Sequence, residues 1–342
     1  MSNIVSSQVK IHRKYGGVWP FLAKREHQRN LPVVLNKALQ KAGFANSKFQ
    51  IPNSKQIQNS KLQILKSIPK IDLIAVTIGP GLEPCLWVGV NFAKDLAKRE
   101  KIPIFPINHI EAHIYANWLD SSEIKIEFPA ICLVVSGGHT QLILMKNHGQ
   151  YKILGETRDD AAGECFDKVA RILGLGYPGG PAIAALAAKF KVQSSKFKIK
   201  LPRPMLNQKN YDFSFSGLKT AVLYDFKSRS PKIRKSKIYI QEIAKEVQQA
   251  IIDVLIQKTL KAAKDYKVKS IILGGGVTAN EELRKQFKEK IKREIPNSKF
   301  YIPDSKFCTD NAAMVALTTY YHWLKRKKPN LKKIEADANQ RI

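Results

Sequence analysis

The segment NHIEAHIYANWL, from Asn108 to Leu119, carries two histidines four residues apart. On a helix, His109 and His113 would lie on one face, and their imidazoles could bind the same metal ion. Taken alone, this spacing is weak support for a metal site, because two helix histidines that only make hydrogen bonds have the same spacing. Both interpretations stay open for this motif.

A glutamate lies between the two histidines, but not where a zinc peptidase needs it. In the pattern H-E-x-x-H the glutamate directly follows the first histidine and acts as the general base. Glu111 follows His109 by two residues, which turns its side chain about 200° around a helix from His109. The sequence therefore disfavours a metallopeptidase.

A third metal ligand would have to come from a distant segment. Asp310, in the segment CTDNAAMVA that begins at Cys308, lies at a predicted helix start. Aspartate at this position commonly caps the helix with its carboxylate. Two histidines and one carboxylate, however, form an open metal site with free positions for substrate, a set that suits iron(II) and also fits zinc.

Glycine-containing turns offer backbone N–H groups to an anionic ligand. The segment VVSGGHTQL holds Gly137 and Gly138 between two predicted strands, and GGGVTANEELR holds three glycines before a predicted helix. Backbone N–H groups can approach a phosphate or carboxylate closely in such turns. Taken singly, an ordinary hairpin explains the first segment, and no Lys-Ser or Lys-Thr pair completes a P-loop in the second.

An acidic helix is predicted within the segment GETRDDAAGECFDKVARILGLGYPGGPAI, residues 155–183. Asp167 in this helix could accept hydrogen bonds from hydroxyl or ammonium groups of a ligand. Paired carboxylates could also indicate glycoside chemistry. An acidic, solvent-exposed helix face is the more common explanation.

The elements that must hold these residues alternate between apolar strands and helices, which predicts an α/β protein. A strand, a glycine loop and a helix are predicted for residues 71–98 and again for 270–287. Two strands joined by a tight turn are predicted for residues 130–146. Apolar residues at helical spacing between Ile240 and Val254 predict a long amphipathic helix.

Charge is the unusual feature of the composition. The 342 residues include 58 Lys and Arg against 28 Asp and Glu, a formal net charge of +30. Such an excess attracts polyanions such as nucleic acid, although a lysine-rich surface without a partner has the same composition. The four cysteines form no C-x-x-C pair, and no apolar run matches a membrane span or signal peptide. These features predict about two domains and a location in the cytoplasm.

One segment differs from the rest in composition. Residues 46–63 repeat the tripeptide NSK three times and contain no acidic residue. We predict a low-complexity surface insertion there.

The motifs are more specific as an ordered series than singly. In chain order they are SQVKIHRKYGGVWPFLAKREH, GPGLEPCLWVGV, NHIEAH, VVSGGHTQL, DDAAGECFDKVARILGLGYPGGP, LPRPM, DFSFSGLKTA, GGGVTAN and FCTDNAAM. From about Ser7 to at least Ala316, this series closely resembles the bacterial TsaD branch of the Kae/Qri family, the tRNA threonylcarbamoyladenosine synthases.

The resemblance implies the two-lobed actin/Hsp70/sugar-kinase (ASKHA) fold. We expect lobe one at residues 1–129, lobe two with the glycine-rich ligand loops at 130–310, and a C-terminal helix and tail at 311–342 that pack back on lobe one. Family members begin with a strand and hairpin that carry an acidic loop. Here the matching series begins at Ser7, so roughly 25 residues of the pattern are missing. We therefore expect the first strand and hairpin of lobe one to be absent, which would leave a sheet edge unpaired.

The resemblance also implies an activity and its residues. The activity is transfer of threonylcarbamoyl from threonylcarbamoyl-AMP to the N6 amine of the adenosine just 3′ of the anticodon in tRNA. The implied metal ligands are His109, His113 and Asp310, with iron(II) as the usual metal. The implied substrate-binding positions are Val134, Val135, Ser136, Gly137, Gly138, Asp167, Gly180 and Asn280.

The implied partners are tRNA, threonylcarbamoyl-AMP, a paralogous non-catalytic subunit similar to TsaB, and a small ATPase similar to TsaE, with no membrane involved. Because an acyl-adenylate is already activated, no residue is assigned as acid, base or nucleophile. The second hypothesis is a truncated, non-catalytic tRNA-binding or scaffold relative. A small-molecule kinase of the same fold ranks third, and a metallopeptidase ranks last.

Overall fold

The structure is a computed structural model, and it divides the chain into two compact units. It describes residues 2–44, 71–119, 125–190, 196–325 and 334–342. Unit 1 comprises Met1–Gln8, Val18–Tyr115 and Asn311–Ile342, and unit 2 comprises Val9–Gly17 and Ala116–Asp310. The predicted insertion at residues 46–63 lies outside the described residues.

Strands and helices alternate along the chain, which confirms the prediction of an α/β protein. The strands are β1 Ile74–Gly79, β2 Ile104–Asn108, β3 Ala130–Val135, β4 Thr140–Asn147, β5 Gln150–Glu156, β6 Ser270–Gly274 and β7 Lys299–Tyr301. The helices are α1 Val9–His12, α2 Pro20–Lys41, α3 Glu83–Glu100, α4 His109–Tyr115, α5 Ala162–Ile172, α6 Gly179–Ala188, α7 Ser216–Ser228, α8 Pro231–Arg234, α9 Lys237–Asp265, α10 Glu281–Glu294, α11 Ser305–Cys308 and α12 Ala312–Leu324. Short 3-10 turns are Arg13–Tyr15, Ala116–Trp118 and Gly276–Ala279.

Unit 1 is built on β1 and β2, which pair in parallel with Ile74 opposite Ile104. Parallel strands need a crossover connection, and α3 provides it. Apolar residues of α3, including Val90 and Ala93, pack with Ile104 and with Ile334 from the C-terminal segment. The last helix, α12, packs on α4 and on both strands. Among the residues that the structure describes, β1 pairs with β2 alone, and the absence of a first strand stays a prediction.

Unit 2 contains a mixed sheet in the order β5-β4-β3-β6-β7. Strands β3, β4 and β5 form an antiparallel meander, and β6 and β7 run parallel to β3. Every residue of β3 is buried, because the strand is central in the sheet and covered by helices. The predicted pair of strands at residues 130–146 and the strand, loop and helix at 270–287 are confirmed.

The long helix predicted around residues 240–254 is α9, and it lies inside unit 2. The predicted apolar positions from Ile243 to Val254 are buried, as expected for one apolar face. Burial extends further, to polar side chains that include Glu242 and Lys258. The reason is that α6, α7, α8, α10 and β3 all pack against α9. A helix with so many neighbours has little surface left for solvent.

Candidate functional site

The histidine helix α4 begins directly at the end of a strand. Asn108 is the last residue of β2. Its side-chain Oδ1 accepts hydrogen bonds from the backbone N–H groups of Ile110 (2.9 Å) and Glu111 (3.1 Å). The asparagine thus caps the helix and places His109 in the first turn. No loop separates the sheet from the first histidine, so the strand determines where that residue lies.

Asp310 lies just before α12, and its neighbour caps this helix. The Oδ1 of Asn311 accepts a hydrogen bond from the N–H of Met314 at 3.0 Å. The alternative in which Asp310 is the N-cap is therefore wrong. Helix α12 packs on α4, and the rings of Tyr115 and Tyr321 stack between them with centroids 4.9 Å apart.

The three predicted metal ligands come together. Ligand atoms of His109, His113 and Asp310 all lie within 4.8 Å of one another. His113 is buried, His109 is partly buried and Asp310 is exposed. Two ligand atoms on one ion with bonds of about 2.0–2.2 Å lie at most about 4.4 Å apart, so small side-chain rotations suffice to bind one ion. Two imidazoles and one carboxylate fit iron(II) or zinc.

Glu111 does not join the two histidines and contacts helix α12 instead. The residue is buried, with 5% of its surface exposed, and its Oε2 lies 2.8 Å from the Nε2 of His322 on α12. This pair links α4 to α12 within unit 1. Helix geometry predicted that Glu111 turns away from the histidine face, but no sequence pattern indicated its partner His322, 211 residues away.

The turn after β3 offers backbone groups rather than side chains. Val134 and Val135 are fully buried, so they can present only backbone atoms to a ligand. The turn is closed by two hydrogen bonds: the N–H of Ser136 donates to the carbonyl of His139 at 2.8 Å, and the N–H of His139 donates to Ser136 Oγ at 3.1 Å. Gly137 and Gly138 between them are exposed.

Two further glycines bring other segments against this turn. A Cβ atom on Gly163, at the start of α5, would lie 2.5 Å from the carbonyl oxygen of Ser136. A Cβ atom on Gly275, after β6, would lie 2.4 Å from the carbonyl oxygen of Val135, and Gly275 has a φ of +91°. Only glycine fits at both positions. The turn, the N-terminus of α5 and the loop after β6 therefore form one group of backbone segments, which we call the ligand cradle (residues 134–138, 161–163 and 274–280).

Asp167 lies on α5 and connects it to α6. Its Oδ1 accepts a hydrogen bond from the N–H of Gly179 at 2.6 Å. Burial raises the pKa of the Asp167 carboxyl, and the hydrogen bond from Gly179 opposes this effect. Gly180 is the next residue, and a Cβ there would meet open space. Gly180, the second residue of α6, is partly buried and directly follows the residue whose N–H group binds the Asp167 carboxylate.

Asn280 ends the loop after β6. Its Oδ1 caps α10 by accepting from the N–H of Leu283 at 3.0 Å, and its Nδ2 donates to Gln248 Oε1 at 2.8 Å. An asparagine amide carries two N–H donors, so one remains for a ligand. All the predicted substrate-binding residues thus lie in unit 2, on β3 and the turn after it, on α5 and α6, and at the N-cap of α10.

The role of one further acidic residue, Asp159, was not predicted from the sequence. The carboxylate of Asp159 accepts hydrogen bonds from Ser214 Oγ (2.5 Å), Ser216 Oγ (2.6 Å) and the N–H of Phe215 (2.8 Å). Burial would raise the pKa of Asp159, but these hydrogen bonds outweigh burial and lower it. Asp159 thus holds the start of α7, the segment DFSFSG, against α5. The partners are more than 50 residues apart, and no spacing in the sequence indicates them.

The fold and the site define a class: an α/β protein with a glycine-lined backbone cradle in one unit and a donor set of two histidines and one carboxylate. The family model for TsaD, tRNA N6-adenosine threonylcarbamoyltransferase, matches residues 1–51 and 56–317. Two curated proteins with this name are similar to the chain. The one from Syntrophomonas wolfei is 46% identical over 323 residues, which cover 94% of this chain and 86% of the relative.

The tRNA N6-adenosine threonylcarbamoyltransferase from Thermosipho africanus is 46% identical over 320 residues, which cover 94% of this chain and 87% of the relative. The chain therefore belongs to the tRNA N6-adenosine threonylcarbamoyltransferase family. Members of this family are transferases.

Among solved structures, the crystal structure of T. kodakarensis HypF is similar with a TM-score of 0.50 and 13% sequence identity. The match covers 75% of this chain and 41% of HypF. At this identity the likeness supports the α/β fold alone. Among the described helices, none is both long enough and apolar enough to cross a membrane.

Proposed function

We propose that this chain transfers threonylcarbamoyl from threonylcarbamoyl-AMP to the N6 amine of the adenosine just 3′ of the anticodon in tRNA. Family membership supports formation of threonylcarbamoyladenosine in tRNA as its function. The observation that carries the proposal for the site is the group of ligand atoms of His109, His113 and Asp310 within 4.8 Å.

The reaction needs little covalent chemistry from the protein. The N6 amine attacks the carbamoyl carbon of the mixed anhydride, a C–N bond forms, and the C–O bond to the phosphate of AMP breaks. The amine loses one proton and AMP leaves as an anion. Because the donor is already activated, positioning and stabilisation of negative charge on ligand oxygens are the main contributions. This explains why no protein nucleophile is required.

The ligand cradle supplies backbone donors for this purpose. In our proposal, residues 134–138 and the N-terminus of α5 face anionic oxygens of the adenylate. Asp167, whose burial raises its pKa, accepts hydrogen bonds from hydroxyl or ammonium groups of the donor. Gly180 leaves space for the ligand, and Asn280 offers its remaining N–H.

The metal would be held by His109, His113 and Asp310. The donor set favours iron(II), with zinc as the second choice. When bound, the metal supplies a Lewis acid for ligand oxygens. The Glu111–His322 contact supports this site through packing, since it joins α4 to α12.

The tRNA and the protein partners belong to the same proposal. The net charge of +30 suits the tRNA backbone, and an adenine of the anticodon loop can be unstacked for attack. We propose subunits similar to TsaB and TsaE as partners, the cytoplasm as the location, and the two-lobed ASKHA fold. The proposed lobes are 1–129 and 130–310, with 311–342 as the C-terminal helix and tail.

The alternative of a non-catalytic scaffold is not favoured. The family match extends over most of the chain, and the similar curated proteins are named as transferases. The segments with chemical groups, from NHIEAH to FCTDNAAM, lie within the matched residues.

The proposal is tested with purified chain, its partner subunits, threonylcarbamoyl-AMP and unmodified tRNA. Nucleoside mass spectrometry after digestion is expected to detect threonylcarbamoyladenosine. His109→Ala is expected to lower both the product and the bound metal, the latter measured by elemental analysis. His27→Ala, a histidine on α2 outside the donor set, is the matched control. Absence of product with intact tRNA binding would favour the scaffold, and unchanged metal content in His109→Ala would refute the ligand assignment.

A further inference from the structure

Arg284 contacts three residues on two segments of unit 2 with one guanidinium group. Its Nε donates to the carbonyl of Thr278 at 2.7 Å, and its Nη2 donates to the carbonyl of Pro303 at 2.6 Å. The same Nη2 lies 3.0 Å from the Sγ of Cys308. Arg284 itself lies in the first turns of α10. The side chain therefore joins segments that are far apart in the sequence.

The first of these contacts lies in the ligand cradle. Thr278 is fully buried in the turn between Gly275 and Asn280. Its own Oγ1 donates to the carbonyl of Gly275 at 2.7 Å. Asn280 follows two residues later and caps α10. Arg284 thus holds the turn that carries the last predicted ligand-binding residue.

The other two contacts lie on the segment that leads to the metal donor. Pro303 precedes α11, and Cys308 is the last residue of α11 and is fully buried. Asp310, one of the three metal-donor residues, follows Cys308 by two residues. The Oγ1 of Thr278 also lies 3.4 Å from the Sγ of Cys308. The cradle and the segment before Asp310 therefore meet at the guanidinium.

We propose that Arg284 is a positioning residue that couples adenylate binding in the cradle to metal binding at Asp310. The inference rests on the proposed function and deepens it. A planar guanidinium carries five N–H donors and can serve acceptors on two segments at once, whereas the point charge of lysine cannot match that geometry. A ligand that orders the turn at Thr278 also orders the segment before Asp310 and so strengthens metal binding. By linkage, bound metal strengthens ligand binding in the same way.

The test measures binding, not turnover. Affinities for Zn²⁺ and for AMP are determined by isothermal titration calorimetry, each with and without the other, on the full chain. In the wild type, each probe is expected to strengthen binding of the other. In Arg284→Lys, metal affinity is expected to fall about 10- to 100-fold, and the mutual enhancement is expected to disappear. Arg293→Lys, an exposed arginine on the same helix that pairs with Glu294, is the matched control and is expected to behave as the wild type.

A second variant addresses misfolding. Cys308→Ala removes one contact and leaves the two carbonyl contacts, so a smaller loss of metal affinity with retained AMP binding is expected. Circular dichroism melting is recorded for every variant. If Arg284→Lys changes the melting temperature but keeps wild-type metal affinity and coupling, Arg284 has a structural role alone and the inference is overturned. A wild type that binds both probes without mutual enhancement would overturn it too, while a wild type that binds neither would overturn the proposed function.

Discussion

Glu111 and His113 lie two residues apart on α4 and have different surroundings. His113 is one of the metal-donor group, whereas the Glu111 carboxylate lies against His322 on α12. The angle of about 200° between residues two apart on a helix accounts for this separation. At the residue scale, the pattern that resembles a zinc-peptidase motif thus divides into candidate metal ligands and a packing contact.

This division predicts the behaviour of Glu111→Gln. A glutamine keeps the size of the side chain and can still bond to His322, but it cannot act as a base. We expect modification of tRNA and metal content to stay near the wild-type values, measured by nucleoside mass spectrometry and elemental analysis. Glu111→Ala leaves His322 without this partner and is expected to lower stability by about 1–3 kcal/mol in urea unfolding. Loss of activity in Glu111→Gln at full stability would contradict the prediction.

Asp167 predicts a dependence of stability on pH. Burial raises its pKa in the folded state above the ordinary value of 3.8. The stability that it contributes is therefore fully present below the unfolded pKa and is lost as the pH rises through the folded pKa. Relative to Asp167→Asn, the wild type is expected to lose stability across this window, as measured by urea unfolding at a series of pH values.

Asp265 provides the control for this measurement. The hydrogen bond from Lys261 lowers the pKa of Asp265, so its contribution is present above its unfolded pKa and is lost as the pH falls. The wild type is therefore expected to lose stability relative to Asp265→Asn as the pH falls, which is the opposite of the dependence expected for Asp167. A difference between wild type and Asp167→Asn that does not vary with pH would show that Asp167 has an ordinary pKa.

At the scale of elements, the ligand cradle depends on close approach of backbone segments. The carbonyl oxygens of Val135 and Ser136 lie only 2.4 and 2.5 Å from the positions that Cβ atoms on Gly275 and Gly163 would take. Backbone atoms cannot rotate away as a side chain can. The register of the loop after β6 against β3 is therefore sensitive to a single methyl group.

Gly275→Ala tests this sensitivity. The new Cβ would meet Val135 at 2.4 Å, and alanine would have to adopt a φ of +91°. A strained φ costs about 1–3 kcal/mol, and the clash adds to it, so we expect a clear loss in the free energy of unfolding and weaker AMP binding. Gly276→Ala is the matched control, because its Cβ would lie 3.8 Å from Thr309. Equal effects of the two substitutions on urea unfolding would contradict the role of close approach.

At the scale of the whole molecule, the formal charge of +30 is the dominant property. A polyanion such as tRNA releases condensed counterions when lysines and arginines neutralise its phosphates. The same charge is a general property of the surface, so it determines how strongly tRNA binds rather than which adenosine is modified. Selection of the adenosine has to come from the site.

We expect tRNA affinity to fall steeply with salt. In a plot of log affinity against log salt concentration, the slope is expected to be about −0.7 to −0.9 for each phosphate contacted. Filter binding or fluorescence anisotropy between low and physiological salt measures it. AMP binding by the same protein is the control and is expected to change much less. A tRNA affinity that does not respond to salt would show that the basic surface has no part in binding.

Local features were predictable from the sequence because neighbouring residues determine them. The i, i+4 spacing of His109 and His113 needs only a helix, and the glycines after β3 need only a turn. The alternation of apolar strands and helices likewise predicts an α/β protein. The ordered motifs added the family, and through it the prediction of Asp310 as a third metal ligand.

The tertiary structure alone decided which distant groups meet. Nothing in the sequence pairs Glu111 with His322, Asp159 with Ser216, or Arg284 with Cys308, because these partners are brought together by packing of whole elements. The burial of α9 beyond one face has the same origin, since it follows from the helices around it. Sequence periodicity reports the side that an element buries, but the neighbour on that side is selected by the fold as a whole.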